Sequence, residues 1–185
     1  FTLHIYLKNS YSTWMIEGIT FLLFLEIIFC TSFSMREIGI IPNLSHWKQN
    51  LRESVLTGAI VCIAILLAKL ILMLCGIKIK AYFIGGSWHG AYTYLFTAFI
   101  QEFLARGVIQ TSVKSLMKVK YQKQFSILLT SLLFSLMHMP FGFYFMFGAF
   151  ILSLALGTIY ERQKDIWGCA LLHWGCGYLA MSLFF

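Results

Sequence analysis

Apolar positions in this chain fall in long, nearly unbroken runs, and polar positions collect in the connections between them. Six runs can be drawn: about Trp14 to Phe33, Ser54 to Cys75, Ala91 to Ser112, Phe125 to Met139, Phe141 to Tyr160 and Ile166 to Phe185. One bilayer crossing takes roughly 20 apolar residues as a helix. Inside lipid each backbone N–H and C=O must find a partner within its own segment, so runs of this kind form helices. The pattern predicts an all-α polytopic membrane protein, a single domain over residues 1–185 with about six transmembrane helices. Phe1 is not an initiator Met, so an upstream portion is expected. The first run follows a polar stretch and lacks a small-residue cleavage site, so it does not have a signal-peptide layout.

The connections carry their own pattern. Residues 36–53, REIGIIPNLSHWKQNLRE, form an amphipathic stretch suited to the membrane surface, with Ile38, Ile41, Leu44, Trp47 and Leu51 able to face lipid. Pro140 should end the fourth helix, because it lacks the N–H and crowds the preceding turn. Trp14, Trp88 and Trp167 lie at span ends, as interfacial belt residues do.

Composition agrees with this pattern. Hydrophobic residues make up 59% of the 185, and charged residues only 11%, too few to cover a soluble surface. The net charge of +7 does not mark a nucleic-acid binder, since the basic residues show no aromatic interleaving and no nucleic-acid motif. It marks topology. Nine cations follow the odd-numbered runs: Arg36, Lys48, Arg52, Lys114, Lys118, Lys120, Lys123, Arg162 and Lys164. Three lie on the other side, Lys8, Lys78 and Lys80. Positive residues favour the cytoplasm, so the odd-numbered connections are expected there. Of the five cysteines, none are spaced as CxxC, and they read as small core residues. Cys176, three residues after His173, leaves a Cys/His nucleophile open.

Charges within the runs need individual reasons, because they are costly in lipid and tend to be functional. Lys69 lies near the outer end of its span and can snorkel. Glu17 and Glu26 lie in the first run, and Glu26 would pair with another helix or carry a proton. The third run contains QEFLAR, Gln101 to Arg106. Glu102 and Arg106, four residues apart, share a helix face and can pair. His138 ends the fourth run and His173 lies in the sixth. At 1.5 Å per residue, Gln101 and Glu102 lie about 15 Å, His173 about 10 Å and His138 about 20 Å from the cytoplasmic face. A lone membrane histidine usually bonds one helix to another. Two of them level with a Glu/Arg pair predict a polar pocket within the bilayer. Phe134, four residues before His138, shares its face and would fix that ring or simply fill core. Ala149, Ser153 and Gly157 form a close-packing stripe rather than a site. His4, His46 and His89 are given no role.

QEFLAR, FSLMH and LLHWGCG, in this order and spacing, resemble the three motifs of the CPBP family (CAAX proteases and bacteriocin-processing enzymes, also called Abi). Those motifs are Glu-Glu-x-x-x-Arg, Phe-x-x-x-His, and His-x-x-x-Asn or Asp. The resemblance covers mainly residues 91–185, and the surface stretch with Gly39 and Trp47 looks like the family's lead-in. It implies an intramembrane endopeptidase, usually described as a metalloprotease, in the plasma membrane, with a bacterial chain of this kind linked to peptide processing or bacteriocin immunity. Its substrate would be a peptide or membrane-near protein segment. By resemblance, the residue at 101 would activate water together with His138, while His173 and the residue at 177 would hold the oxyanion. If a divalent metal such as Zn is present, Glu102, His138 and His173 could ligate it with a water.

Two positions depart from the family pattern. Gln101 stands where the first Glu belongs, and Gly177 where Asn or Asp belongs. Peptide hydrolysis needs a base for water and donors for the oxyanion. A glutamine amide cannot take the proton. Glu102 is about 100° around the helix from Gln101, and Arg106 at i+4 makes it the poorer base. The pattern suits a natural pseudoprotease and equally a Glu-to-Gln inactivated enzyme. Three function classes follow. The first is an endopeptidase, impaired at Gln101. The second is a catalytically dead relative that binds a peptide, confers bacteriocin immunity or regulates a membrane partner such as a sensor kinase. The third is a small transporter with a Glu/His proton relay, which no inverted repeat supports.

Overall fold

The computed structural model describes residues 33–42, 44–77 and 88–184, together with Leu22, Leu25 and Glu26. The bulk of the first run, with Trp14, Glu17 and Cys30, lies outside the described residues, as do His4, Lys8, Lys78 and Lys80. Helices carry the described chain: α1 Trp47–Leu74, α2 Trp88–Glu102, a π-helix Phe103–Gln110, α3 Thr111–Leu116, α4 Gln122–Leu136, α5 Phe143–Gln163 and α6 Ile166–Phe184. Among the described residues there is no strand.

Three helical stretches are long and apolar enough to cross a bilayer, Leu44–Leu74, Phe143–Gln163 and Ile166–Phe184. They correspond to the second, fifth and sixth expected spans. The third and fourth are helical but do not meet the same measure. The third is broken at Phe103 into a π-helix. The fourth, α4, is 15 residues long and buries Ser126, Thr130, Ser131 and Ser135 among its few buried positions. It ends at Leu136, earlier than expected, and Pro140 lies in a 3-10 turn, Met139–Phe141, that leads into α5.

No residue of α1 is buried. Its Ile60, Ile63, Leu66, Leu67 and Leu70 are all more than half exposed, which costs nothing where the neighbour is lipid. The core sits instead under the lead-in stretch, where Ile38, Phe103, Leu156, Ile159, Tyr160, Ile166 and Cys169 cluster. Ile38 is therefore buried rather than lipid-facing, whereas Ile41, Leu44, Trp47 and Leu51 are exposed as expected. The expected surface element also ends sooner, since α1 already begins at Trp47 and carries Trp47–Glu53 as its first turns.

The lead-in is docked by its backbone. Ile166 N–H donates to Gly39 O (3.0 Å), Tyr160 Oη to Glu37 O (3.1 Å) and Trp167 Nε1 to Ile40 O (3.0 Å). Gly39 has φ +78°, and a Cβ there would lie 2.7 Å from the Tyr160 ring, so conformation and space both call for glycine. Ser34 and Glu37 tie the start of this turn reciprocally. Ser34 N–H and Oγ donate to Glu37 Oε2 at 2.7 and 2.8 Å, and Glu37 N–H donates to Ser34 Oγ at 3.2 Å. The same exchange closes a helix capping box. These donors hold the Glu37 carboxyl below its ordinary value, the Ser34 backbone N–H contributing most. At the far side of the core Glu161 pairs with Lys114 and Lys164, and Gln163 Nε2 donates to Asn50 O of α1 (3.1 Å).

Candidate active site

QEFLAR straddles the change from α-helix to π-helix. Gln101 and Glu102 close α2, and Phe103 to Arg106 open the wider turns. Thr111 fixes the end of the widened stretch, because its N–H and its hydroxyl (2.9 Å) both reach Arg106 O, five residues back. Turns of this type recur at functional sites. Here the geometry sends neighbouring side chains in two directions.

Glu102 turns toward α6 and is fully buried. Its Oε2 accepts from Arg106 Nε at 2.9 Å, and its Oε1 lies 3.0 Å from His173 Nδ1. The second contact is at ion-pair distance but off the line of a regular hydrogen bond. Arg106, also fully buried, spends its remaining donors on Gln110 Oε1 (3.1 Å) and Ser153 Oγ (2.7 Å). Gln110 Nε2 in turn donates to Gly157 O at 3.0 Å. A Cβ on Gly157 would lie 2.9 Å from the guanidinium. The small stripe of α5 is thus more than a packing face, because Ser153 and Gly157 receive the arginine and its glutamine.

Gln101 turns toward α4. With Ala105, Thr130, Phe134, Met137 and His138 it lines a cavity of about 30 Å³, room for a water-sized occupant. No carboxylate lines it. Gln101 Oε1 and Thr130 Oγ1 are buried there without a hydrogen-bond partner. His138 stands at the end of α4, its Nδ1 2.8 Å from Phe134 O. A carbonyl only accepts, so Nδ1 carries the proton and Nε2 keeps its lone pair.

Phe134 joins the two directions. Its buried ring lies 4.6 Å from the His138 ring, 5.3 Å from that of His173 and 5.9 Å from the Arg106 guanidinium carbon. It fixes the His138 ring and fills core at once. The two histidine rings are 6.5 Å apart. The structure therefore gathers Gln101, Glu102, Arg106, Phe134, His138 and His173, but on either side of a phenylalanine rather than around one open pocket.

Gly177, one turn beyond His173, is buried beside Tyr94 of α2. Cys176 points elsewhere, its Sγ 4.0 Å from Cys62 Sγ of α1, which gives no support to a Cys/His pair. Among the described residues no three His, Cys, Asp or Glu side chains are placed to hold a metal ion. Glu102, His138 and His173 do not fit such a centre, because Arg106 and His173 occupy the Glu102 oxygens and His138 Nδ1 is bound to a carbonyl. Gln110, Ser153 and Tyr94 escaped sequence reasoning. Gln110 alone carried a signal, at i+4 from Arg106.

The family model of the type II CAAX prenyl endopeptidase Rce1-like proteins matches residues 83–179, from just before α2 into α6. No curated protein and no solved structure matches the chain.

Proposed function

The chain belongs to the type II CAAX prenyl endopeptidase Rce1-like family, and from that premise we propose that its cavity at Gln101 and His138 is the hydrolytic site of an intramembrane endopeptidase whose water-activating step is disabled by Gln101. It is an integral membrane protein, and its family points to a membrane-associated peptide or protein segment as substrate. That segment would reach the site laterally or from the cytoplasm, the side given to the odd-numbered connections. A bacterial plasma membrane is the setting we favour.

The carrying observation is the division of labour between residues 101 and 102. His138 presents an unprotonated Nε2, Gln101 lines the same cavity, and the nearest carboxylate of the motif, Glu102, is spent on Arg106 and His173. A water between residue 101 and His138 needs an acceptor for its proton. An amide cannot be that acceptor, and His138 acting by itself lacks the second group. His173, oriented by Glu102, is the group we assign to the developing oxyanion.

Gln101→Glu tests this. Against a membrane-peptide library read by mass spectrometry, the chain as written should cleave little, and Gln101→Glu should raise cleavage about 10²- to 10⁴-fold, the usual contribution of a general base. Adding His138→Ala should abolish the gain. A second reading rests on the absence of a lining carboxylate: the protein binds its peptide without cutting, as an immunity or regulatory relative would. If Gln101→Glu stays inert while the chain as written binds peptide tightly, that reading replaces the first.

A further inference from the structure

The oxyanion side of the site has one donor assigned, His173, and a glycine one turn further along the helix. Gly177 is not empty space. A Cβ built on it would lie 2.0 Å from Tyr94 Oη and 3.1 Å from Tyr94 Cζ, far inside contact distance, and 3.4 Å from His173 Cδ2. The phenol of α2 fills the volume that any side chain at 177 would occupy. Register explains how it arrives there. Tyr94, Ala98 and Glu102 stand at i, i+4 and i+8 of α2, one stripe of the helix. His173 and Gly177 stand at i and i+4 of α6. Ala98 is fully buried between them in level, so the two helices approach closely. Glu102 meets His173 at one level, and Tyr94 meets Gly177 a little over two turns away. The Tyr94 ring meets the His173 ring edge-on, with centroids 6.0 Å apart and an interplanar angle of 89°.

Tyr94 is half-buried, and its hydroxyl makes no hydrogen bond to another described residue, so its proton is free to donate. Backbone and side-chain donors aimed at developing charge give the largest single catalytic term in many enzymes. We propose that the Tyr94 hydroxyl is the second oxyanion donor of this site, standing beside His173 in the space that Gly177 leaves open. The inference rests on the endopeptidase reading above. When water adds to the scissile carbonyl, the π pair moves onto oxygen and the base holds the water proton. Tyr94 donates a hydrogen bond to that oxygen, as does His173 in its doubly protonated form, with one N–H toward Glu102 and the other toward the oxygen. Collapse of the intermediate expels the amine, which leaves with the proton. Tyrosine and glycine then form one functional pair, each residue requiring the other.

Two experiments on the full chain test the pair. The first is a thermal-unfolding cycle in detergent. Gly177→Asn should lower the melting temperature when Tyr94 is present, and the loss should largely vanish in Tyr94→Ala/Gly177→Asn. An equal loss in both backgrounds overturns the shared space. The second is kinetic, in the Gln101→Glu background. Tyr94→Phe keeps the ring and should lower kcat about 10²- to 10³-fold, as removal of one oxyanion donor does. KM should stay within about twofold, since the interaction exists only in the transition state. A structural role would leave that split absent. If Gln101→Glu cleaves and Tyr94→Phe cleaves equally fast, the assignment of Tyr94 alone fails. If Gln101→Glu has no activity, the endopeptidase reading fails and takes the oxyanion role with it.

Discussion

On the Glu102 side of the α2 helix end, charged groups are paired with one another, although Glu102 Oε1 and His173 Nδ1 meet only at ion-pair distance. On the Gln101 side, polar atoms are left over. Arg106 makes three hydrogen bonds through Nε and both terminal nitrogens, and the one to Ser153 links its helix to α5. Across Phe134, Gln101 Oε1 and Thr130 Oγ1 face a cavity with nothing in the protein to bond. The two regions are one residue apart in sequence and both are buried. Satisfied networks fix an architecture, whereas unsatisfied buried groups call for a role. The difference teaches which of two similar side chains holds the scaffold and which is kept for something that comes and goes.

The comparison can be broken most forcibly at Arg106. Arg106→Ala leaves Glu102 buried and uncompensated, and removing one partner of a buried pair costs about 3–5 kcal/mol. Chemical unfolding in detergent should show that loss, or no folded protein at all. A variant as stable as the parent would mean the network is ornamental. A finer test sets the two regions directly against each other. Ser153→Ala strips a bond from the guanidinium and should cost about 1.5–3 kcal/mol, the range for bonds to charged groups. Thr130→Val removes a hydroxyl that has no partner and should be neutral or slightly stabilising. Equal costs for the two would erase the distinction.

The smallest expected effect lies outside both regions and serves as their control. Glu37, exposed in the lead-in, has its carboxyl held below the ordinary glutamate value of 4.5 by Ser34. A lowered folded value means its contribution is complete above 4.5 and is lost as pH falls through the folded value. Glu37→Gln should therefore lower stability slightly at neutral pH, by an amount that shrinks as pH falls through the folded value, which flattens the acid side of the stability profile. A loss of equal size at neutral and at acid pH would show that the Ser34–Glu37 exchange is not its source.

Much of this was legible beforehand because chemistry and period coincide. Glu102 and Arg106 at i and i+4 announced their own pair, and a proline after His138 announced the end of α4. Rise per residue set Gln101, His138 and His173 within about 10 Å of depth of one another, and the two histidine rings lie 6.5 Å apart. What stayed hidden depended on rotation. A straight α-helix gives no warning of a π-helix at Phe103, because i→i+5 bonding leaves the apolar pattern intact. The Ala149, Ser153 and Gly157 stripe reads identically whether it meets lipid-packed methyl groups or a guanidinium. Tyr94 lay hidden for a related reason. A tyrosine near a span end looks like an interfacial residue until the glycine opposite is known to face it.

The distance along the chain between Arg106 and its acceptors has a consequence for how the protein is made. Ser153 and Gly157 each lie 47 residues after the groups that bond them, Arg106 and Gln110. At about 5–20 residues per second of synthesis, that interval is roughly 2–9 s. For those seconds the arginine-bearing helix leaves the ribosome before its α5 partners exist. Glu102, four residues upstream, and Gln110, four residues downstream, are the companions it has, and only Glu102 carries the opposite charge. The i,i+4 pair therefore works as a travelling neutraliser, letting a charged segment wait at the membrane as a near-neutral one until the rest of its binding site is translated.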